Sequence, residues 1–393
     1  MVDRGSRRLR RGRGALAVCF FVQGVTFALL VTRIPAIQDR YGISDALLPL
    51  FLAAVPVLAG VGSLVTGKLV RRGATPAAVL RWVQPVVLLS LVGVGAGDRM
   101  GQVAVALGVF GLAVGALHAS MNMLGVSLQR AYGRSIMLGF HAAYSLGGIA
   151  GASLAWASVR WGLELSLSYG SVVAVLLPVA LAASRWYVDG EREPTGGAST
   201  GRSAGLLVPL CLVMTFAYIG DATVSNWSAK YLTDVLGGSE ELATVPYNAY
   251  MVTTLLGRAV GDFGVRRFGA VAVVRGGALL AAVGFGVVAG APGAWAGVAG
   301  FTVLGLGLSV VVPQTFAAAR GDAEVARLNV FNYVGFLVGS PLVGALGEAW
   351  SYRGAMVVPM LLVLVTLRYA RSFGIERDRY GGGHERPRTV DVG

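Results

Sequence analysis

Charge is scarce in this chain, and cysteine is scarcer. Only 13% of the 393 residues are Asp, Glu, Lys or Arg, about half the share of a soluble domain. That shortage argues against a water-soluble globular body. Two cysteines, Cys19 and Cys211, make no disulfide framework and are too few for a metal cluster. No metal or cofactor is expected. No Gly-Lys-Ser/Thr phosphate loop occurs. GVGAGDRMG at 93–101 has the glycines but lacks the Lys-Ser pair and the strand that should precede it, so no site for ATP is expected. The polar stretches, the N-terminus, 187–205 and 374–393, each fall short of the ~40 residues that fold alone. This argues against a membrane-bound sensor or enzyme. No small-x-small cleavage site follows the first apolar run, which ends in TRIPAIQD and reads as an uncleaved span.

What the chain has instead is apolar length. Apolar residues make up 55% of it, and its mean hydropathy is +0.67. Runs able to cross a ~30 Å hydrocarbon core cover 15–33, 46–66, 77–97, 102–126, 135–158, 164–186, 206–230, 244–264, 270–290, 295–318, 325–349 and 353–373. The expectation is an all-α integral membrane protein of twelve transmembrane helices.

The net charge of +13 is distributed by side. If the spans alternate from a cytoplasmic N-terminus, six of the 33 Lys and Arg fall outside: Arg33, Arg40, Arg99, Arg160, Lys230 and Arg353. The other 27 fall inside. This positive-inside bias places both termini in the cytoplasm, with the basic loops against lipid headgroups. Nucleic acid is excluded as a partner, since basic charge spread over alternate loops offers no groove-reading element.

The segment DGEREPTGGASTGRSA, 189–204, reads as a flexible linker after six spans and before six more. The expected organisation is a basic N-terminus at 1–14, a six-helix bundle at 15–187, a linker at 188–204, a second bundle at 205–373 and a tail at 374–393. The halves echo each other. Gly24 to Gly42 and Gly220 to Gly238 have equal spacing, and each pair precedes an acidic patch, SDA or SEELA. GKLVRRG after span two answers GVRRFG after span eight, and Gly147 and Gly151 answer Gly335 and Gly339. Aligning those glycines puts His141 on Asn329 and Tyr144 on Asn332, while Gly115 on Gly307 puts Asn122 on Gln314. A parallel six-span repeat is a transporter plan, with a central path and two rocking halves.

The chain resembles the major facilitator superfamily, in its twelve-helix bacterial branch that includes a membrane protein of rhizopine-utilisation clusters. The residues carrying the resemblance are TRIPAIQD (32–39), GALHASMN (115–122), FHAAYSLGGIAGA (140–152), NWSAKYL (226–232), GRAVGD (257–262), LGLSVVVP (306–313) and NYVGFLVGSPLVGALGE (332–348). The resemblance implies two six-helix bundles, transport by alternating access, a bacterial plasma-membrane location and a monomer. It also exposes departures. The acid of the family's loop motif is replaced by Arg71, next to Arg72, and by Arg266 in the second half. Arg258 and Asp262, one turn apart, are candidates for a substitute gating pair. Relatives tend to have acids where this chain has His118 and Asn226, and Glu where it has Asp221. The drug-antiporter Gly-Pro signature is missing from SLGGIAGA.

Asp221 is the sharpest candidate for chemistry. A carboxylate at mid-bilayer costs roughly 2.5–3.5 kcal/mol, so it should face a cavity or a partner, as a proton-coupling acid or a counter-ion. His118 and His141 flank the turn between spans four and five, which suggests similar depth. Either could exchange a proton near neutral pH. Asn122 lies one turn from His118 and, on that face, would bind ligand or glue helices. Gln23, Asn226, Trp227, Gln314 and Asn332 lie on spans that line the cavity by resemblance, although a Trp near an interface is most often a belt residue. Arg33 closes span one as an anchor or gate. The expected activity is secondary, proton-coupled transport of a small polar organic solute. Export of a cationic or amphipathic product, with Asp221 as counter-ion, and uncoupled facilitation stand as alternatives.

Overall fold

The computed structural model describes residues 2–44, 47–189, 204–239 and 242–374. The expected tail, most of the linker, and parts of both acidic patches lie outside the described residues. Among the described residues every regular element is helical. The crossings of the first half are α1 (Val2–Thr32), α3 (Leu48–Arg71), α4 (Pro76–Ala96), α5 (Met100–Tyr132), α6 (Met137–Arg160) and α7 (Leu165–Ser184). Those of the second half are α8 (Ala204–Lys230), α9 (Val245–Phe268), α10 (Ala270–Gly290), α11 with α12 (Ala294–Leu308 and Val311–Ala317), α13 (Asp322–Ala349) and α14 (Tyr352–Tyr369). A short α2 (Ile34–Tyr41) follows α1, and a single π-helical stretch, Tyr231–Val235, extends α8.

The twelve apolar runs match these crossings, with two differences. The first helix begins at Val2, so the basic segment continues the helix instead of preceding it. The tenth crossing is broken at Ser309 and Val310. Pro313 contributes, having no N–H to give and a ring that crowds the carbonyl four residues earlier, at Ser309, although Pro56, Pro178 and Pro341 sit inside unbroken helices.

Ten of the helices are long and apolar enough to span a bilayer by composition. The two crossings outside that set, α6 and α9, are no shorter, at 24 residues each. They are more polar, and they pack on each other across the seam between the halves. A polar face in a membrane protein belongs inside, against a partner. The outward surface is apolar instead: Leu50, Val105, Val175 and Val260 all stand exposed where lipid tails would cover them.

Close helix contacts repeat between the halves. A Cβ on Gly147 or Gly151 would run into the α1 backbone at Phe21 or Val25, and one on Gly335 or Gly339 into the α8 backbone at Thr215 or Ile219. These four glycines therefore let α6 lie on α1 just as α13 lies on α8, which is small-residue packing. The six-span repeat read from the sequence is thus a repeat of contacts.

Candidate functional site

α1 begins and α14 ends on one face of the protein, the terminal face. There the two halves are fastened together, and the fastening starts with a helix end. The first four N–H groups of a helix have no partner within it. In α6, the amides of Ile136 and Met137 donate to Gln129 Oε1, both at 3.0 Å, from the end of α5. The next two, Leu138 and Gly139, donate to Asp262 Oδ1 and Oδ2, at 3.3 and 2.9 Å, from α9 in the other half. Ser135 Oγ adds a third bond to Asp262, at 2.6 Å. One half of the protein therefore completes the cap of a helix in the other. A carboxylate suits that position, since it also meets the positive end of the α6 dipole.

Four further bonds close the same face. Arg266 Nη1 donates to Ser135 O (3.0 Å), Arg130 Nη2 to Ala319 O (2.9 Å), Ser63 Oγ to Ala326 O (3.0 Å) and Asn329 Nδ2 to Ser63 Oγ (3.3 Å). The proposed Arg258–Asp262 pair is corrected here. The two do not bond each other, because both reach across to α6. Arg258 Nη1 donates to Ser145 Oγ at 2.6 Å. Arg71 and Arg72 stand exposed at the end of α3.

Deeper in the seam lies a polar centre built from both halves. His118 Nε2 lies 3.3 Å from Gln23 Nε2, and its Nδ1 lies 2.8 Å from Tyr333 Oη in the other half. The His118 ring stacks on that tyrosine and stands edge-on to Tyr144. Asp221 accepts from Tyr250 Oη at 2.6 Å. Arg258 lies within electrostatic reach of Asp221, Tyr218 and Tyr250 in its own half, and of Tyr144 and His141 in the other. Several buried polar atoms on α1, α5, α6, α9 and α12 have no partner among the described residues: Gln23 Oε1, Asn122 Oδ1, His141 Nε2, Arg258 Nε, and both amide atoms of Gln314. Leaving such a group unpaired costs about 1–3 kcal/mol, so each of these atoms is open to a polar partner.

The histidines do not share one depth. Gln129, near the end of α5, is level with the start of α6, because it caps that helix. His118 lies eleven residues back along α5 and His141 five residues along α6 from Ile136. At 1.5 Å per residue they sit about 16 and about 7 Å from that level. The turn is thus centred later than the sequence suggests. His141 packs instead between Phe20 and Phe316, nearer the terminal face.

The remaining candidates are scattered. Asn122 is buried and donates to the His118 carbonyl of its own helix. Asn226 is exposed and donates to Ala222 O, also within its own helix. Asn332 is buried and reaches Asn329 Oδ1 at 3.4 Å. Trp227 donates to Ser340 O and packs on Tyr352 and Gly344, which fastens α8 to α13 and α14. Arg33 is buried rather than exposed as a surface anchor. It bonds Ser158 Oγ and Leu163 O, tying the end of α1 to the α6–α7 connection within the first half. Sequence reasoning missed Gln129, Ser135, Tyr218, Tyr250 and Tyr333. The tyrosines carried a usable signal, since a hydroxyl inside a span needs a polar neighbour.

No protein-family model matches the chain. An uncharacterised MFS-type transporter of Yersinia pestis is 29% identical over 365 residues, covering 90% of this chain and 94% of that protein. The membrane protein MosC of Rhizobium meliloti is 27% identical over 391 residues, covering 95% and 92%. Among solved structures, FucP, the fucose:proton symporter of E. coli, in its outward conformation superposes with a TM-score of 0.76 at 18% identity, over 92% of this chain and 98% of that one.

Proposed function

We propose, from the premise that this chain is a multi-pass membrane protein with the major facilitator fold and MFS-type transporters among its homologues, that it is a proton-coupled carrier of a small polar organic solute. The observation that carries this reading is the placement of Asp221. It stands mid-helix in α8 at the seam between the halves, bonded to Tyr250 and in the field of Arg258. An ionisable group at that depth is expensive unless it works. Here it faces groups from both halves, so a change in its charge is felt across the seam that must open and close.

In this reading the bundles are 15–187 and 205–373, joined by 188–204. The protein sits in a bacterial plasma membrane with both termini in the cytoplasm. The terminal face is then the cytoplasmic one, and its fastening leaves the solute path facing outward. The solute meets Gln23, His118, Asn122, Gln314 and the tyrosines near the centre. Opening inward requires the Asp262 cap on α6 and the Ser63, Arg130 and Arg266 bonds to break. Proton coupling fits the neighbour named as a fucose:proton symporter.

The test is Asp221→Asn in proteoliposomes with an imposed pH gradient, for a solute found by thermal-shift screening of sugars, polyols and amino sugars. Accumulation should vanish while exchange of labelled for unlabelled solute persists. Unchanged accumulation would remove Asp221 from the coupling role. A wild-type protein that exchanges but never accumulates would be a facilitator.

A further inference from the structure

The geometry points to an organic anion as the solute: its carboxylate is held by Arg258, and it takes the place of the Asp221 charge when Asp221 is protonated. This rests on the proposed carrier reading and names its substrate class.

Among the described residues, Asp221 and Arg258 are two formal charges that stand well inside crossing helices, on α8 and α9. They feel each other's field, yet their hydrogen bonds go elsewhere. Asp221 Oδ1 takes Tyr250, and Arg258 Nη1 goes to Ser145. A guanidinium has five N–H donors in one plane and matches a carboxylate two bonds at a time. Arg258 uses one of them on a neutral hydroxyl, while its Nε is buried with no acceptor. The Tyr144 and Tyr218 hydroxyls lie in its field and bond no described residue. The site is therefore rich in donors and short of one acceptor, which a carboxylate would supply.

Charge balance gives the order of events. An empty site with ionised Asp221 and Arg258 is neutral. A bound anion would make it negative in a medium of low dielectric, where a net charge is costly. A proton taken from water onto Asp221 Oδ2, the oxygen Tyr250 leaves free, restores neutrality. Solute and proton then enter together, and no covalent bond in the solute changes. A cation would sit against Arg258 with no such balance. The titratable or charged groups facing Asp221 are Tyr218 on α8, Tyr247, Tyr250 and Arg258 on α9, and Tyr144 on α6. Arg258 is the only cation among these, so it alone couples Asp221 to an anion.

The experiment uses the full chain in lipid nanodiscs and two matched probe series: galacturonate, galactose and galactosamine; and benzoate, benzyl alcohol and benzylamine. Thermal stability reads binding, and a pH dye in weak buffer reads proton uptake. At least one carboxylate should stabilise the protein more than its neutral and amine counterparts and draw in about one proton per anion bound. Asp221→Asn should keep anion binding and lose the proton uptake. Arg258→Gln should weaken anion binding by about ten- to a hundredfold. If that variant does not fold, Asp221→Asn/Arg258→Gln leaves no lone charge and gives the same readout. The proposal is overturned if neither carboxylate binds, if a neutral or amine probe binds as well as the acid, or if the double variant keeps anion affinity. Proton uptake retained in Asp221→Asn, with anion binding still dependent on Arg258, would sink the coupling role of Asp221 and leave the anion site standing.

Discussion

Removing the charge of Asp262 should open the terminal face. The carboxylate accepts from Ser135 Oγ, Leu138 N and Gly139 N, all in the opposite half. In Asp262→Asn one oxygen becomes an NH2 group, which cannot accept from the Gly139 amide and points donor at donor. A hydrogen bond to a charged group contributes about 1.5–3 kcal/mol, and the charge–dipole interaction adds about 0.3–1 kcal/mol. The closed state should lose about 3 kcal/mol relative to the open one. That is a shift on the order of 100-fold in the closed-to-open ratio. Cysteine labelling can read it. Ala326 is buried at 2% exposure, and its carbonyl accepts from Ser63 across the seam. In an Ala326→Cys protein with the buried Cys19 and Cys211 replaced by Ala, maleimide should react slowly. Adding Asp262→Asn should raise the rate on the order of 100-fold. Ser135→Ala, which deletes one of the three bonds, should give a smaller rise of roughly tenfold. A labelling rate within about threefold of the parent, well short of either figure, would mean that the α6 cap does not hold the face shut.

Adjacent glycines give an internal control for helix packing. Gly147→Ala drives a Cβ into the α1 backbone and should cost about 1–3 kcal/mol or prevent folding, whereas the Cβ of Gly148→Ala meets nothing within 4 Å and should stabilise by about 0.5–1 kcal/mol. Equal melting temperatures for the two would contradict the packing. Gln314→Met replaces a buried amide that has no partner among the described residues and should raise stability by about 1–3 kcal/mol while weakening solute binding. A drop in stability would show that the amide is satisfied in the empty protein. Arg33→Met deletes the bonds to Ser158 and Leu163 and should lower stability by about 1–3 kcal/mol without changing the transport rate per folded molecule. A slowed rate at unchanged melting temperature would restore Arg33 as a gate.

Much of the site was legible as residue type and little of it as pairing. Asp221 and His118 stood out because polar groups in apolar runs are rare, and both lie in the polar centre. The partners did not stand out. Nothing in GRAVGD says that its aspartate caps a helix 123 residues earlier, at Gly139. Nor does the one-turn spacing of Arg258 and Asp262 reveal that both turn away from each other toward α6. Asn226 and Trp227 were cavity candidates only because the resemblance puts their span along the cavity. The rotation of α8 about its axis instead aims Trp227 at α13 and α14.

By itself the sequence determined the twelve crossings and the glycines, Gly147 and Gly151, that recur as Gly335 and Gly339 in the second half. Hydropathy and chain length act locally, so each span declares itself from its own ~20 residues. The break in the tenth crossing did not declare itself, since prolines such as Pro56 and Pro178 sit inside unbroken helices. Only the tertiary structure decided which half caps α6, that His118 meets Tyr333, and that Arg258 is left with an acceptor to find. Those outcomes depend on helix rotation and register across the seam. A rotation of a third of a turn would exchange every partner and leave the hydropathy of each span unchanged.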